Sequence, residues 1–539
     1  MNRSSIRTFY NTHTKLVQIL FLTLASLGLV ILYATLCFNR NIWTDEAFTI
    51  DLLNNYKTFG AIADYTATDV HPPLYYFILK IVTDLFGIKW PLIKLMSVVP
   101  VALTLGIGIT YVRKRFGFKT ALIFILLTGA IPCTMEYAVQ MRMYAWCMLF
   151  VTGCGFAAWD VYETGRIRSY LALLICGVGA AYSHYFAFTG ILWIHGILFI
   201  ALLINLIRQR KPSKAIDPTN QADQADVQIQ SDSKKDGLSI NTEKANTCSH
   251  AQEAACITAT PARKLIYWVI TAVLSVLIYL PWLSRLLGQI SGVTNSYWIQ
   301  DITWDVFLDY FRWIFASDYP LLIPICQLLF GGCILWLIIS TISRIVKKRR
   351  SKEALPGSSN APALWALAIP ILVIATGIAL SKLIRPIFII RYIMPCIPLL
   401  CFSAACVLSR IRKEVFAVLV VFLIGMTSLD YCTNHRTEYE ATRTDATCEF
   451  IAEHLGENDA IVYNYRIYDF IYWCYWPQDK MIYIEDFDYG APYDHVWFLQ
   501  TVYNPNFNNE LLAENGWNML YMGDYGIEQN DFWIWELYR

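Results

Sequence analysis

Apolar residues recur along this chain in long runs separated by short polar connections. The runs lie at about 16–38, 91–112, 120–135, 143–160, 169–183, 186–206, 264–286, 321–343, 361–380, 387–408 and 414–430. A backbone amide cannot stay unpaired in hydrocarbon, so a segment that crosses a bilayer is a helix of about 20 mostly apolar residues. The pattern predicts a polytopic α-helical membrane protein with about 11 transmembrane helices. The first run follows Arg3, Arg7 and Lys15. It is too long for a signal-peptide core and no small-residue cleavage site follows it, so it reads as a retained anchor.

Positive residues are retained on the cytoplasmic side of a membrane. Arg113-Lys114-Arg115, Arg166 with Arg168, Arg208 to Lys211, Lys347 to Arg350, and Arg410, Arg412 and Lys413 all fall on the side of the N-terminus. That side is expected to be cytoplasmic and the intervening loops to face outward. Residues 71–86 are apolar but carry Lys80 and Asp84, and counting them as a span would invert every later loop. They are expected to form an interfacial helix on the outer side, within an outer loop region over 39–90.

Two stretches are built differently. Residues 207–263 hold Gln, Asp, Ser, Lys and Thr with few large apolar side chains, the composition of a flexible cytoplasmic loop. Residues 431–539 contain strand-like runs at Ala460 to Tyr463 and His495 to Leu499, after a helical stretch at Ala446 to Leu455. This predicts a small C-terminal α/β extracytoplasmic domain beside a membrane domain of residues 1–430.

Composition agrees with this division. The 539 residues are 56% hydrophobic and only 16% charged, where soluble domains carry about a quarter charged residues. Whole-chain disorder is excluded, and so is a nucleic-acid partner, which would call for a basic excess. The formal net charge of +1 is a cancellation: residues 431–539 hold 5 basic and 19 acidic residues, and the remainder 38 and 23. Most of the 15 cysteines lie in apolar runs, where a thiol acts as a small hydrophobe. Cys432, Cys448 and Cys474 of the outer domain allow one disulfide with one thiol left over.

Polar groups gather in the first outer loop. It opens with Trp43-Thr44-Asp45-Glu46 and closes with Asp69-Val70-His71-Pro72-Pro73-Leu74-Tyr75-Tyr76. Carboxylates at a membrane surface are costly to desolvate unless used or paired. Taken alone, the first motif also reads as a capped helix N-terminus and Pro72-Pro73 as a helix start. Later turns add Met141-Arg142-Met143-Tyr144-Ala145, Ser183-His184-Tyr185-Phe186, and Arg391-Tyr392 followed by Met394-Pro395. In combination with a many-span body, these motifs resemble the membrane glycosyltransferases of the GT-C fold. More narrowly the chain is similar to family-39-like enzymes, the protein O-mannosyltransferase and aminoarabinose-transferase branch, over most of residues 16–430.

The resemblance implies transfer of a sugar from a polyprenyl-phosphate donor to an acceptor at the outer face of a bacterial-type cell membrane. The acceptor class stays open among protein, lipid and cell-wall glycan, with membrane lipids as the surrounding partners. Asp45 maps to the family's catalytic base, and Glu46 beside it to a catalytic-loop residue that positions or caps. An acceptor hydroxyl needs such a base, whereas the leaving lipid phosphate needs cations. Arg142, Lys382, Arg385 and Arg391 are outer-edge cations for that work, with snorkelling to the interface as the alternative for the last three. Asp69 and His71 either orient Asp45 and the acceptor or fix the turn before Pro72. Tyr75, Tyr144 and His184 complete the expected substrate-binding set, and Glu136 is the expected ion partner of Arg142. No cofactor or metal is expected, as CxxC and HxxxH spacings are absent. Single displacement predicts inversion at the anomeric carbon. Two other readings compete: a transporter or flippase of lipid-linked saccharide, which would place charges in mid-span, and a receptor-like sensor, which leaves the first loop unexplained.

Overall fold

A computed structural model describes residues 3–38, 42–210, 259–295, 322–351, 360–432 and 443–539 except 504 and 529, with a few isolated positions between 299 and 315. Most of the polar insert at 207–263 lies outside the described residues.

All of the apolar runs are helical. Helix α1 (Arg3–Leu36) buries Leu22, Ser26, Leu29, Tyr33 and Leu36, spaced by alternating steps of four and three, and exposes Leu16, Val17, Leu20, Leu24, Leu27 and Ile31. Exposed leucines with a buried tyrosine are the arrangement expected when lipid is the solvent. The Tyr33 hydroxyl donates to the Gly129 carbonyl at 2.7 Å. The first loop then folds into three short helices, α2 (Thr44–Asn55), α3 (Phe59–Thr68) and α4 (Leu74–Phe86). Helix α4 is too short to be a span, and Lys80 Nζ meets Asp84 within it at 2.6 Å.

Helix α5 (Trp90–Ile107) continues through a π-turn to Phe116. The run expected as one span at 120–135 is broken into α6 (Phe118–Ala130) and α7 (Pro132–Ala138), bent by 65°. The residue before a proline is pushed out of the helical region. Ile131 accordingly takes φ −68°, ψ 123°, and Pro132 starts the next helix. The body is completed by α8 (Tyr144–Glu163), α9 (Ile167–Ala181), α10 (Tyr185–Arg210), α11 (Pro261–Asn295), α12 (Leu322–Ser351), α13 (Ala361–Leu383), α14 (Ile397–Leu408, preceded by a 3-10 turn over Ile390–Cys396) and α15 (Lys413–Asp430). Among the described residues eight helices are long and apolar enough to cross a membrane, or nine if the bent pair is one span. Helices α9, of 15 residues, and α15, which carries Lys413, Glu414 and Asp430, account for the other two runs.

Burial ranks these helices. The apolar windows of α8 and of the Ile390–Leu408 segment are 78% buried, against 17% for α11 and 22% for α12. These two deeply buried helices carry Arg142 and Arg391, which sit just before or at their starts, to one end of the bundle. Twenty residues of helix span about 30 Å, so the far end of α8 lies well away from that end. There Arg115 pairs with Asp160 and Glu163, Lys264 Nζ donates to the Tyr162 and Glu163 carbonyls at 2.8 Å, and Lys119 Nζ donates to the Ile411 carbonyl at 3.1 Å.

The C-terminal unit is α/β. Helix α16 (Arg443–His454) precedes β1 (Ala460–Tyr463); α17 (Asp469–Tyr475), β2 (Met481–Tyr483), β3 (His495–Gln500), α18 (Asn509–Glu514), β4 (Asn518–Ile527) and β5 (Asn530–Tyr538) follow. The sheet order is β2-β1-β3-β5-β4, with β1 parallel to β2 and β3, and β5 antiparallel to β3 and β4. Val462 pairs with Phe498 and Phe498 with Trp535, which stacks an apolar row across the sheet. Cys432, Cys448 and Cys474 are all free thiols. This unit packs directly on the first loop: Phe470 of α17 meets Phe48 of α2 edge-on at 5.4 Å, and Tyr475 meets Trp90 at 5.4 Å.

Candidate active site

The site begins with the N-terminus of α2. Trp43 is extended (φ −112°, ψ 169°), and the Glu46 carboxylate folds back to accept from the Trp43 amide at 3.4 Å, as in a capping box. The other Glu46 oxygen accepts from the Met141 amide at 2.7 Å. Glu46 is 3% exposed and both oxygens are taken by backbone. It ties the start of α2 to the 141–145 turn and closes the capping box, which is the positioning or capping part expected of it in the catalytic loop. Thr49 Oγ1 reinforces the tie by donating to the Met141 carbonyl at 3.0 Å.

Holding α2 this way leaves Asp45 facing the starts of the two central helices. Asp45 Oδ2 lies 3.3 Å from Arg391 Nη2 and 3.8 Å from Arg142 Nη2. It is enclosed but accepts no hydrogen bond from the protein. Arg142 is 3% exposed, and its Nη1 donates to the Asp45 carbonyl at 3.1 Å and to the Tyr76 hydroxyl at 3.3 Å. Burial works against the charge of Arg142, but Tyr76 and Asp45 outweigh it and hold the guanidinium above its ordinary pKa. Arg391 lies over the Trp43 ring at 5.1 Å, a cation–π contact that fixes its plane.

Behind Arg142 stands a second polar row. His71 Nδ1 is 2.9 Å from Asp69 Oδ2, and His71 Nε2 faces Arg142 Nη2 at 3.5 Å. Burial raises the Asp69 carboxyl, yet the charge and hydrogen bond of His71, with Arg142 behind, hold it below the usual carboxylate range. The His184 ring lies 5.5 Å from His71, 5.7 Å from Tyr144 and 4.7 Å from Tyr392, and its Nδ1 accepts from the Phe186 amide at 3.1 Å. Burial first, then the positive charges of His71, Arg142 and Arg391, push His184 well below the ordinary imidazole value, so it stands in the cluster as a neutral ring.

Asp45, Asp69, His71, Arg142, Tyr144, His184 and Arg391 are thus brought together from positions up to 346 apart in sequence. Other expected residues are not. Tyr75 is buried edge-on against Tyr76, and Tyr76 is the tyrosine that meets Arg142. Consecutive residues on a helix point about 100° apart, so one tyrosine of the pair faces the site and the other does not. Lys382 Nζ donates to the Ile302 carbonyl at 2.8 Å. Among the described residues the cations within ion-pair distance of Asp45 are Arg142 and Arg391. Among the described residues the carboxylate within ion-pair distance of Arg142 is Asp45, where Glu136 is the partner expected from the sequence.

Sequence reasoning missed Gln289. Its Nε2 donates to the Thr66 carbonyl at 2.8 Å and to the Asp69 carbonyl, and its Oε1 accepts from the Tyr185 hydroxyl. One buried amide on α11 thereby fixes the backbone beneath the Asp69–His71 pair. Nothing in a polar residue near the end of an apolar run signals that role.

Residues 70–216 match the family described as dolichyl-phosphate-mannose-protein mannosyltransferase. No curated protein sequence matches the chain. Among solved structures it is similar to ArnT from Cupriavidus metallidurans bound to undecaprenyl phosphate, with a TM-score of 0.57 at 12% identity over 96% of this chain and 97% of that one. It is also similar to the apo state of that protein, with a TM-score of 0.53 at the same identity and coverage. At this identity the likeness is one of fold. The chain is a multi-pass membrane protein of GT-C fold. The family match takes in His71, Arg142 and His184, and begins after Asp45.

Proposed function

We propose that the chain is a membrane glycosyltransferase that moves a sugar from a polyprenyl-phosphate donor to an acceptor at the outer face of the cytoplasmic membrane, by a single inverting displacement. One observation carries the reading: a partly exposed carboxylate at one end of the bundle is set between two guanidinium groups.

In the reaction the acceptor O–H gives its proton to the partly exposed Asp45 carboxylate as its oxygen bonds to the anomeric carbon. The bond from that carbon to the phosphate oxygen breaks, and its electron pair leaves with the lipid phosphate. Arg391, reachable and planar, and Arg142 behind it stabilise the growing charge. The ArnT structure with undecaprenyl phosphate supports a lipid phosphate as the donor's leaving group. The outward orientation is supported by the basic groups Arg115, Lys119 and Lys264 at the opposite end of the bundle.

The test is purified protein in vesicles with radiolabelled polyprenyl-phosphate sugars and an envelope extract as acceptor. Transfer with inverted anomeric configuration is expected. Translocation of donor without any transfer would overturn the proposal in favour of a flippase. Added EDTA is expected to leave the rate unchanged, since guanidinium groups supply the cationic stabilisation; inhibition reversed by a divalent ion would contradict this.

A further inference from the structure

Glu528 is the only non-glycine residue with positive φ among the described residues, at 51°. It sits in the turn between β4 and β5, where glycine would be free of the steric cost that a side chain meets in the left-handed region. Strain of this kind persists where the surroundings over-determine it, and it clusters at functional sites. Here the surroundings are specific. The Glu528 amide donates to Thr444 Oγ1 at 2.9 Å, and Thr447 Oγ1 donates to the Gly526 carbonyl at 2.7 Å, so α16 holds the turn. The carboxylate then reaches out of the C-terminal unit. Its Oε1 accepts from the Thr44 amide at 2.6 Å and from Thr44 Oγ1 at 2.7 Å, across 484 positions of sequence.

Thr44 is the first residue of α2 and Asp45 the second. A first-turn amide has no acceptor within its own helix, and a carboxylate there also complements the helix dipole. Three consecutive residues are consequently pinned from three directions: Thr44 by Glu528, the Asp45 carbonyl by Arg142, and Glu46 by the Met141 amide. The Asp45 side chain is the free end between these fixed points.

We infer that Glu528 is a positioning residue for sugar transfer, so that the C-terminal unit completes the active site by setting the Asp45 carboxylate against Arg391 and Arg142. The inference rests on the reading of Asp45 as the base. Glutamate in a turn suited to glycine is the requirement of that reach.

Full-length Glu528→Gly separates the contact from the strain. Relief of the positive φ is expected to leave Tm at or above that of the unsubstituted chain. Turnover is expected to fall about ten- to a hundredfold, the scale of a small misplacement of a catalytic group, with donor KM unchanged. Glu528→Gln keeps an acceptor oxygen and is expected to restore most of the turnover. In the Asp45→Asn background Glu528→Gly is expected to cost nothing more, because both act on one step. Full turnover in folded Glu528→Gly, or a further loss in the Asp45→Asn background, would overturn the positioning role. Hydrogen exchange of the peptide spanning 43–47 reads the contact with no transfer assay: faster exchange in Glu528→Gly is expected, and unchanged exchange overturns the inference. A chain that transfers no sugar but shows the faster exchange would overturn the function while leaving the contact in place.

Discussion

Asp45→Asn in purified, reconstituted protein is expected to lower sugar transfer about 10²–10⁴-fold, the range contributed by a positioned general base. The substitution keeps the shape of the side chain and removes its capacity to take a proton. Three neighbours stay where they are, because each has a contact that does not depend on the Asp45 carboxylate. Arg142 is held by the Asp45 carbonyl and Tyr76, Arg391 by Trp43, and Glu46 by the Met141 amide. The Asp45 side chain is 27% exposed, so its ion pairs are partly screened and loss of stability is expected to be small. The discriminating measurement is therefore a pair: turnover with labelled donor, and donor affinity by equilibrium binding. Turnover should collapse with affinity retained. A rate equal to that of the unsubstituted chain would remove Asp45 as the base, whatever happened to binding.

The legible part of this molecule is the part written in local pattern. The apolar runs are helical, with the one at 120–135 broken at Ile131, because in lipid the backbone has no other way to satisfy itself. The strand-like runs at 460–463 and 495–499 are strands of one sheet, where Ile461, Val462, Val496 and Phe498 fill the interior on two faces. Asp45, His71, Arg142 and Arg391 were legible as well, since each follows or precedes an apolar run on the same side and the loops leave few other places for charge. What pattern does not carry is rotation about a helix axis and lateral position in the bundle. Tyr75 and Tyr76 differ by one helical step, and only packing decides which reaches Arg142. Lys382 and Arg391 share an end of the bundle, yet the first begins no central helix and meets the Ile302 carbonyl instead. Gln289 and Glu528 act on partners 220 and 484 positions away. Their residue types are common on helix ends and turns, and the hydrogen bonds that give them meaning exist only once the fold has closed.

Arg391→Gln is expected to lower transfer about 10²–10³-fold, the cost of removing one stabiliser of a developing anion. The two arginines are not equivalent. Arg142 is enclosed, with Nη1 spent on the Asp45 carbonyl and Tyr76 and Nη2 facing His71; it organises the loop. Arg391 has a 17% exposed side chain, lies on Trp43 rather than in a web of acceptors, and presents Nη2 to Asp45. The exposed part of its guanidinium is what a lipid phosphate can reach. The loss should therefore appear in the phosphate as well as in the rate: product inhibition by polyprenyl phosphate is expected to weaken in Arg391→Gln. Arg391→Lys should recover little, because an ammonium keeps the charge but loses the planar fork and the stacking on Trp43. Binding by both substitutions equal to that of the unsubstituted chain would mean that Arg391 serves only as counter-ion to Asp45. In that case the double variant with Asp45→Asn would be better folded than Asp45→Asn alone, because it relieves a guanidinium left beside Arg142 without its carboxylate.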